Sequence, residues 1–367
     1  MSAGSRKFRG RVWRPFPQLS RLFGASKTAT LFPRTRISSA SNAKPFSASI
    51  NLMPEAPVPE LVGIAVEAER LGFSRVWVYD EGLAARDVYV TLTAIAAATS
   101  RVHVGPGITN PYTRHPATTA MSIATLHEMT GGRAFLGIGA GGSLTLDPLG
   151  VDRSKPLVAV RETINACRAL LDGDTVSVDA RHFSLSNARL PFSTPNRPEI
   201  WFAGRGPLML RLGGELASGV MLEFLHKDTI AHHRSLVAAG AAKSGNNPRL
   251  CYSTMVITSD EEMNAARPHM TYRLVDSQPD IKEELGFSPE DEARIRSAMA
   301  DGIDAAGEYV KTDWVRPFVI SGSVDECASE LRTLMTTHGF EEFILPILQL
   351  DDASRLMRVV ADVMDQV

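Results

Sequence analysis

The sequence predicts an α/β fold, a (β/α)8 TIM barrel with a helical insertion before the last strand. From Phe46 onward, short apolar runs alternate with amphipathic stretches. The apolar runs are nearly continuous, which is typical of parallel strands that are covered on both faces. About eight such units in roughly 320 residues match the length and order of this barrel.

The first unit shows the pattern by which the other units are assigned. The sequence predicts a strand over FSASINLM and a helix over PELVGIAVEAERLG that ends at Gly72. The apolar residues of this helix share one face, namely Leu61, Ile64, Ala65, Ala68 and Leu71. The remaining predicted strands are RVWVYD, RVHVGPGI, RAFLGIG, EIWFAG, GVMLEF, LCYSTMVIT and EEFILPI, each followed by a helical stretch.

Two segments depart from this alternation. Residues 174–186 alternate in polarity like a small β-hairpin. Residues 276–316 are polar and are interrupted by Pro279, Pro289 and Gly302, which predicts the helical insertion between units seven and eight. No boundary divides the units, so a single barrel domain is expected over residues 45–367.

The N-terminal region differs in charge from the rest of the chain. Residues 1–54 contain ten Lys or Arg residues and no Asp or Glu, which leaves 29 basic and 41 acidic residues in the remainder. An acidic body argues against nucleic-acid binding. The composition of residues 1–44 is typical of a mitochondrial or plastid transit peptide, but a disordered extension or a start codon placed too far upstream fits equally well. We expect a cytoplasmic protein, or one of an organelle matrix if the transit peptide is real.

Other protein classes are excluded by what the sequence lacks. No apolar run approaches the roughly 20 residues of a membrane helix, so no membrane partner is expected. Cys167, Cys251 and Cys327 are far apart and odd in number, which argues against a disulfide framework or a zinc site and favours a reducing compartment. The motifs HExxH, GxSxG and GxxxxGK[ST] are missing, and no metal is predicted.

Chemistry in such barrels lies where the strands end, and several predicted strand ends carry polar or glycine-rich segments. Strand two ends in Asp80 and Glu81, and the loops after strands three, four and five read GPGITNP, GAGGS and GRGP. The segment GIGAGG also matches the dinucleotide fingerprint GxGxxG. That motif requires a helix to start at once, whereas SLTLDPLGVDRSKP precedes the next predicted helix, so a Rossmann fold is not expected.

Two long segments carry a family resemblance. GPGITNPYTRHPATTAMSIATLHEMTGGRAFLGIGAGG and PEIWFAGRGPLMLRLGGELASGV resemble the luciferase-like monooxygenase superfamily of flavin and deazaflavin oxidoreductases. Within it, the chain is most similar to the methylenetetrahydromethanopterin reductase branch, which uses coenzyme F420. The resemblance covers about residues 46–348. It implies an oxidoreductase that transfers a hydride between F420 and a small organic substrate at the C-terminal mouth of the barrel.

The resemblance also assigns site residues. A non-prolyl cis peptide between Gly107 and Ile108 would support the tricyclic ring of the cofactor, with Asp80 near its polar edge and Asn110 near the bulge. The loop after strand four would line the pyrimidine side or the start of the cofactor tail through Ala140, Gly141, Gly142 and Ser143. The loop after strand five would hold the phosphate through Ala203, Gly204, Arg205 and Gly206. Relatives commonly have histidine where this chain has Glu81, so Glu81 is the candidate proton donor if burial raises its pKa.

Two alternative functions remain open at this point. The first is a monooxygenase that uses reduced FMN, which a genuine transit peptide would favour. The second is a non-catalytic protein that binds a flavin or deazaflavin. The resemblance implies a homo-oligomer, and the identity of the substrate stays open.

Overall fold

A computed structural model of the chain describes residues 46–192 and 196–367, and the predicted arm of residues 1–44 lies outside this range. Eight parallel strands form the main sheet, in the spatial order β3-β2-β1-β12-β9-β8-β7-β4. They are β1 (Ser47–Leu52), β2 (Arg75–Val78), β3 (His103–Pro106), β4 (Leu136–Ile138), β7 (Ile200–Ala203), β8 (Gly219–Glu223), β9 (Arg249–Ser253) and β12 (Glu342–Ile347). This is the predicted TIM barrel, and each strand falls within one of the eight predicted segments or within one residue of it.

Helices separate consecutive barrel strands and cover the outside of the sheet. Those outside the insertion are α1 (Val58–Arg70), α2 (Val88–Ala98), α3 (Pro116–Met129), α4 (Ser143–Leu146), α5 (Pro156–Leu171), α6 (Pro207–Leu216), α7 (Ile230–Ser244), α14 (Val324–His338) and α15 (Ala353–Gln366). Their ends carry local signals that the sequence contains. Asp87 accepts hydrogen bonds from the backbone of Tyr89 and Val90 and so begins α2. Within the described ranges, every helix falls short of the length and apolarity that crossing a bilayer requires.

Side chains of alternating strand positions form two separate apolar layers. The barrel interior is filled by Trp77, Phe135, Trp201, Met221, Cys251 and Ile344. The ring of Trp77 makes edge contacts with Phe135 and Trp201, at centroid distances of 4.3 and 5.5 Å. Neighbouring positions such as Val76 and Val78 point the other way and pack in a larger cluster with the helices. The interior is therefore a packed core and not an open channel.

The hairpin and the insertion interrupt this regular pattern. The hairpin consists of the antiparallel strands β5 (Val176–Asp179) and β6 (Ser184–Ala188). The insertion contains α8 (Asp260–Ala266), α9 (Thr271–Val275), α10 (Pro279–Glu284), α11 (Pro289–Ala298), α12 (Ile303–Gly307) and α13 (Thr312–Val315). It has an apolar cluster of its own, and the short parallel strands β10 (Val256–Ile257) and β11 (Ile320–Ser321) pair at its base.

Two details differ from the sequence-based expectation. The helices of the insertion begin at Asp260, before the expected residue 276, because Ser259 and Glu262 form a capping box that starts α8. A short helix, α4, begins at Ser143, although none was expected before Pro156. This helix has only four residues and leads into a 3-10 turn. The exclusion of a Rossmann fold depends on the order of the strands in the sheet and not on α4.

Candidate active site

The barrel closes between β3 and β4 around an irregular stretch, residues 105–108. On the N-terminal side of this stretch, the amide of Val104 donates to the carbonyl oxygen of Arg133, and the amide of Phe135 donates to the carbonyl oxygen of Val104. Above it, Thr109 pairs with β4 in the same way, through Gly137 and Gly139. Pro106, which has no amide hydrogen, lies inside this interval. The peptide bond between Gly107 and Ile108 is cis, as predicted.

Gly137 in β4 and Gly139 directly after it make room for this bulge. A Cβ on Gly137 would overlap the carbonyl oxygen of Pro106. A Cβ on Gly139 would overlap the Cδ1 atom of Ile108 and lie 2.5 Å from the carbonyl oxygen of Ala203. The first two glycines of GIGAGG therefore serve close packing between neighbouring strands, which explains why a dinucleotide fingerprint occurs in a barrel. Ile108 itself packs on the interior cluster and stays partly exposed.

Asn51, at the end of β1, supports the bulge from beneath. Its side chain is fully buried, and its Nδ2 donates to the carbonyl oxygen of Gly107 over 2.7 Å. A Cβ on Gly107 would lie 2.6 Å from both Asn51 Oδ1 and Trp77 Cβ. Sequence reasoning missed Asn51, and the signal was a single amide side chain inside the otherwise apolar run INLM. Gly107 therefore lies at the mouth of the barrel, but buried side chains of the barrel core surround its Cα atom.

The two acids at the end of β2 each accept a hydrogen bond from a threonine on another loop. Asp80 Oδ2 accepts from Thr109 Oγ1 over 2.6 Å, and Glu81 Oε2 accepts from Thr145 Oγ1 over 2.7 Å. Burial raises the pKa of Asp80 and of Glu81, although the threonine hydrogen bonds oppose the shift. Asp80 and Glu223 raise the pKa of Glu81 further through their negative charge. Glu81 is thus a partly buried carboxyl group and not a solvated one.

A second polar group joins the mouth to the insertion. Glu223, the last residue of β8, accepts from Tyr79 over 3.3 Å and from the guanidinium of Arg273 over 2.9 Å. Arg273 belongs to α9 and is 9% exposed. Burial, assisted by the charge of Arg205, lowers the pKa of Arg273 to about 10. Arg273 was not identified from the sequence, because nothing in the segment TYRLV indicates which distant strand it reaches.

The loops after β3 and β4 touch each other. Asn110 is buried, and its Oδ1 accepts from the amides of Tyr112 and Thr113, so this side chain shapes its own loop. Gly141 has a φ of +69°, and a Cβ there would lie 3.1 Å from Asn110 Cβ. Along the loop after β4, Ala140 and Gly141 are half-buried, while Gly142 and Ser143 are exposed. The exposed part of this loop leaves its backbone accessible to a ligand.

The loop after β7 ends at the N-terminus of α6. Ala203 is buried, Gly204 is half-buried, and Arg205 and Gly206 are exposed. Gly206 has a φ of +83°, and its position at the helix start provides no side-chain cap. The first amides of α6 therefore have no side-chain acceptor from the cap residue, and the exposed Arg205 directly precedes Gly206.

Each predicted site residue either ends a barrel strand, as Ala203 does, or follows one, so these residues share the C-terminal end of the barrel. Neighbouring residues connect some of them, since Thr109 links Asp80 to the end of the bulge and Gly139 lies against Ile108. The tip of the hairpin also reaches this end, because His182 makes an edge contact with Tyr112 at 5.6 Å. A cavity of about 50 Å³ lined by Ile257, Ala266 and Leu345 lies outside the barrel and is far smaller than a cofactor site.

Fold and site together define an α/β barrel enzyme scaffold with a bulged strand and glycine-rich loops at its mouth. The chain belongs to the luciferase-like monooxygenase family, whose sequence model matches residues 32–342. It is 34% identical over 294 residues to a 5,10-methylenetetrahydromethanopterin reductase of Methanolobus tindarius, covering 78% of this chain and 90% of that protein.

Solved structures agree with this assignment. The coenzyme F420-dependent tetrahydromethanopterin reductase of Methanopyrus kandleri matches with a TM-score of 0.78 and 25% identity, over 86% of this chain and 97% of that one. An F420-dependent secondary alcohol dehydrogenase, solved with an F420-acetone adduct, matches with a TM-score of 0.70 and 19% identity, over 87% and 99%. The second likeness shows the shared fold.

Proposed function

We propose that this protein is an oxidoreductase that transfers a hydride between coenzyme F420 and a small organic substrate. The observation that carries the proposal is the bulge at residues 105–108. It packs against Gly137 and Gly139 and presents the partly exposed Ile108 at the mouth, above the apolar interior. The similarity to F420-dependent reductases supports the same function.

The residues of the mouth fit a flat, phosphate-bearing cofactor. Ile108 offers an apolar support for one face of a heterocycle. The exposed backbone of Gly142 and Ser143 permits close approach to its edge, and the uncapped start of α6 with Arg205 suits its phosphate. When bound, F420 would supply the hydride chemistry, and the chain would supply binding, orientation and exclusion of water.

Glu81 is the proton donor in this proposal. Its burial holds the carboxyl group in the protonated form to higher pH than a solvated glutamate allows. The hydroxyl of Thr145 fixes Oε2, so the proton is carried by Oε1. Asp80 is tied to Thr109 and is assigned to the polar edge of the ring system.

Titration of the purified chain with oxidised F420 and with FMN, followed by fluorescence, tests the cofactor. We expect F420 to bind more tightly and reduced F420 to stay stable in air on the protein. Arg205→Gln should weaken F420 binding on the order of tenfold, because a charge-assisted contact to phosphate is lost. Arg211→Gln, an exposed arginine farther along α6, is the matched control.

Two outcomes would contradict the proposal. Preferential binding of reduced FMN with a peroxide signal in oxygen would favour the monooxygenase. Tight F420 binding without turnover over a broad panel of carbonyl compounds and alcohols would favour a binding protein.

The expected homo-oligomer and the expected cytoplasmic location stay predictions. Sedimentation velocity measures the oligomeric state, and fluorescent tagging of the full chain measures the location.

A further inference from the structure

His226 is a buried imidazole that the proposed reaction does not use. It lies in the loop after β8 and is 5% exposed. Neither ring nitrogen makes a hydrogen bond to any part of the chain that the structure describes. Its ring edge contacts Phe318 at a centroid distance of 5.3 Å. Because a buried polar atom without a partner is costly, such an imidazole calls for a bound water or ion.

Two carboxylates lie beside this imidazole. Glu284 of α10 places Oε1 3.7 Å from His226 Nε2, and Asp228 follows in the same loop as the histidine. One candidate ligand atom from each of the three residues lies within 4.8 Å of the other two. A distance of 3.7 Å is too long for a hydrogen bond. It is close to the separation of two ligands that each lie about 2.1 Å from one shared ion.

We propose that His226, Asp228 and Glu284 bind one divalent transition-metal cation of the Zn²⁺ type. One imidazole and two carboxylates suit such an ion, whereas Mg²⁺ and Ca²⁺ prefer oxygen ligands alone. The buried histidine is the fixed ligand. Asp228 and Glu284 are exposed, so their side chains can move the short distance that complete coordination requires.

The position of the site gives it a structural role. His226 and Asp228 belong to the barrel, whereas Glu284 belongs to the insertion. A bound cation would therefore tie α10 to the loop after β8, near the point where Arg273 joins α9 to Glu223. This role is independent of the cofactor that the mouth binds.

Cobalt and zinc titrations of the untagged full chain after treatment with EDTA test the proposal. We expect one equivalent of Co²⁺ with visible absorption of a low-symmetry site, displacement by Zn²⁺, and a higher melting temperature with Zn²⁺. His226→Gln and Glu284→Gln should each weaken binding at least tenfold. His232→Gln, an exposed histidine on α7, should leave binding unchanged.

Glu284→Gln and Asp228→Asn change exposed side chains, so they keep the test valid if His226→Gln fails to fold. Cobalt binding that is equal in wild type and Glu284→Gln would overturn the proposal. So would the absence of binding together with a charged imidazole in the NMR spectrum that responds to Glu284→Gln. That result would identify an ion pair between His226 and Glu284 in place of a metal site.

Discussion

Glu81 carries the proton in the proposed reaction, and its replacement tests that role directly. Glu81→Gln keeps the shape and can still accept from Thr145, but it has no proton to give. We expect kcat for substrate reduction to fall by about 10²-fold or more, with the affinity for F420 nearly unchanged. Glu128→Gln, an exposed glutamate on α3, is the control and should keep full activity. Equal rates in wild type and Glu81→Gln would remove Glu81 from the mechanism.

The pH dependence of Glu81 has a definite sign. Because burial raises its pKa, the rate that depends on protonated Glu81 should decrease as pH rises through that raised pKa. Ionised Glu81 is disfavoured in the folded state, so its contribution to stability is present at low pH and is lost above the same pKa. Glu81→Gln should therefore lose the pH limb of kcat and unfold at a higher urea concentration than wild type at neutral pH. Identical urea midpoints at pH 4 and a lower midpoint for the variant at pH 8 would contradict this sign.

Asn51 holds the bulge, and removing its amide should destabilise the barrel. Asn51→Ala leaves the carbonyl of Gly107 without its donor in a fully buried position. The expected cost is about 1–3 kcal/mol of unfolding free energy, measured by urea denaturation. Asn247→Ala, at an exposed position after α7, should cost less than about 0.5 kcal/mol. A loss that is equal in both variants would show that the hydrogen bond contributes nothing specific.

The role of a residue could be predicted only where the surrounding sequence carries a recognisable pattern. Gly107 and Ile108 could be placed because the segment around Pro106 carries a long family pattern. Asn51 and Thr145 act through partners 56 and 64 residues away in the chain. Such pairs form only once the barrel has brought separate strand ends together, so neither residue has a local signature.

At the scale of the element, β4 and the loop that follows it contain two kinds of glycine, whose roles can be separated by experiment. Gly137→Ala would force a Cβ against the backbone oxygen of Pro106, so we expect a loss of about 1–3 kcal/mol in unfolding free energy. A Cβ on Gly142 would meet nothing within 4 Å, and its φ of −112° suits any residue. Gly142→Ala should therefore keep the stability of wild type and weaken F420 binding, measured by fluorescence titration.

Gly63→Ala, inside α1 with open space around it, is the control and should be neutral or slightly stabilising. Loss of stability in Gly142→Ala, or normal stability in Gly137→Ala, would contradict the assignment of the two roles.

The barrel elements were predictable because each strand is a short apolar run bounded by turn residues. The errors lie where the chain leaves the barrel. The predicted strand LCYSTMVIT is divided into β9 and β10, because Thr254 turns away to donate to the carbonyl of Phe318. That partner is remote in sequence, and apolar periodicity continues across the break, so the pattern alone could not locate the start of the insertion.

For the whole molecule, the main question is how the insertion is coupled to the barrel. Each has its own apolar cluster, and Phe224, directly after β8, packs in the cluster of the insertion. The guanidinium of Arg273 lies 5.2 Å from the ring centroid of Phe224 while it also binds Glu223. One buried arginine thus connects the insertion with the strand end that lines the mouth.

Because of this connection, we expect the effects of mutating Arg273 and Glu223 on the unfolding free energy to be non-additive. Arg273→Met leaves Glu223, whose side chain is 24% exposed, without its cation. Breaking a buried pair from one side costs about 3–5 kcal/mol. Glu223→Gln in the same chain removes the unpaired charge, so the double variant should recover part of that loss in urea denaturation. Since the pair ties α9 to the end of β8 at the mouth, KM for the substrate should rise in Arg273→Met and fall again in the double variant.

Arg358→Met is the control, since its ion pair with Glu67 involves a side chain that is 66% exposed. An exposed pair of this kind contributes about 0–1 kcal/mol, so its removal should change neither the unfolding free energy strongly nor KM. If the losses of Arg273→Met and Glu223→Gln simply add, the two side chains act independently. The insertion would then owe its position to the packing of Phe224 and its neighbours, and the charge pair would not couple it to the mouth.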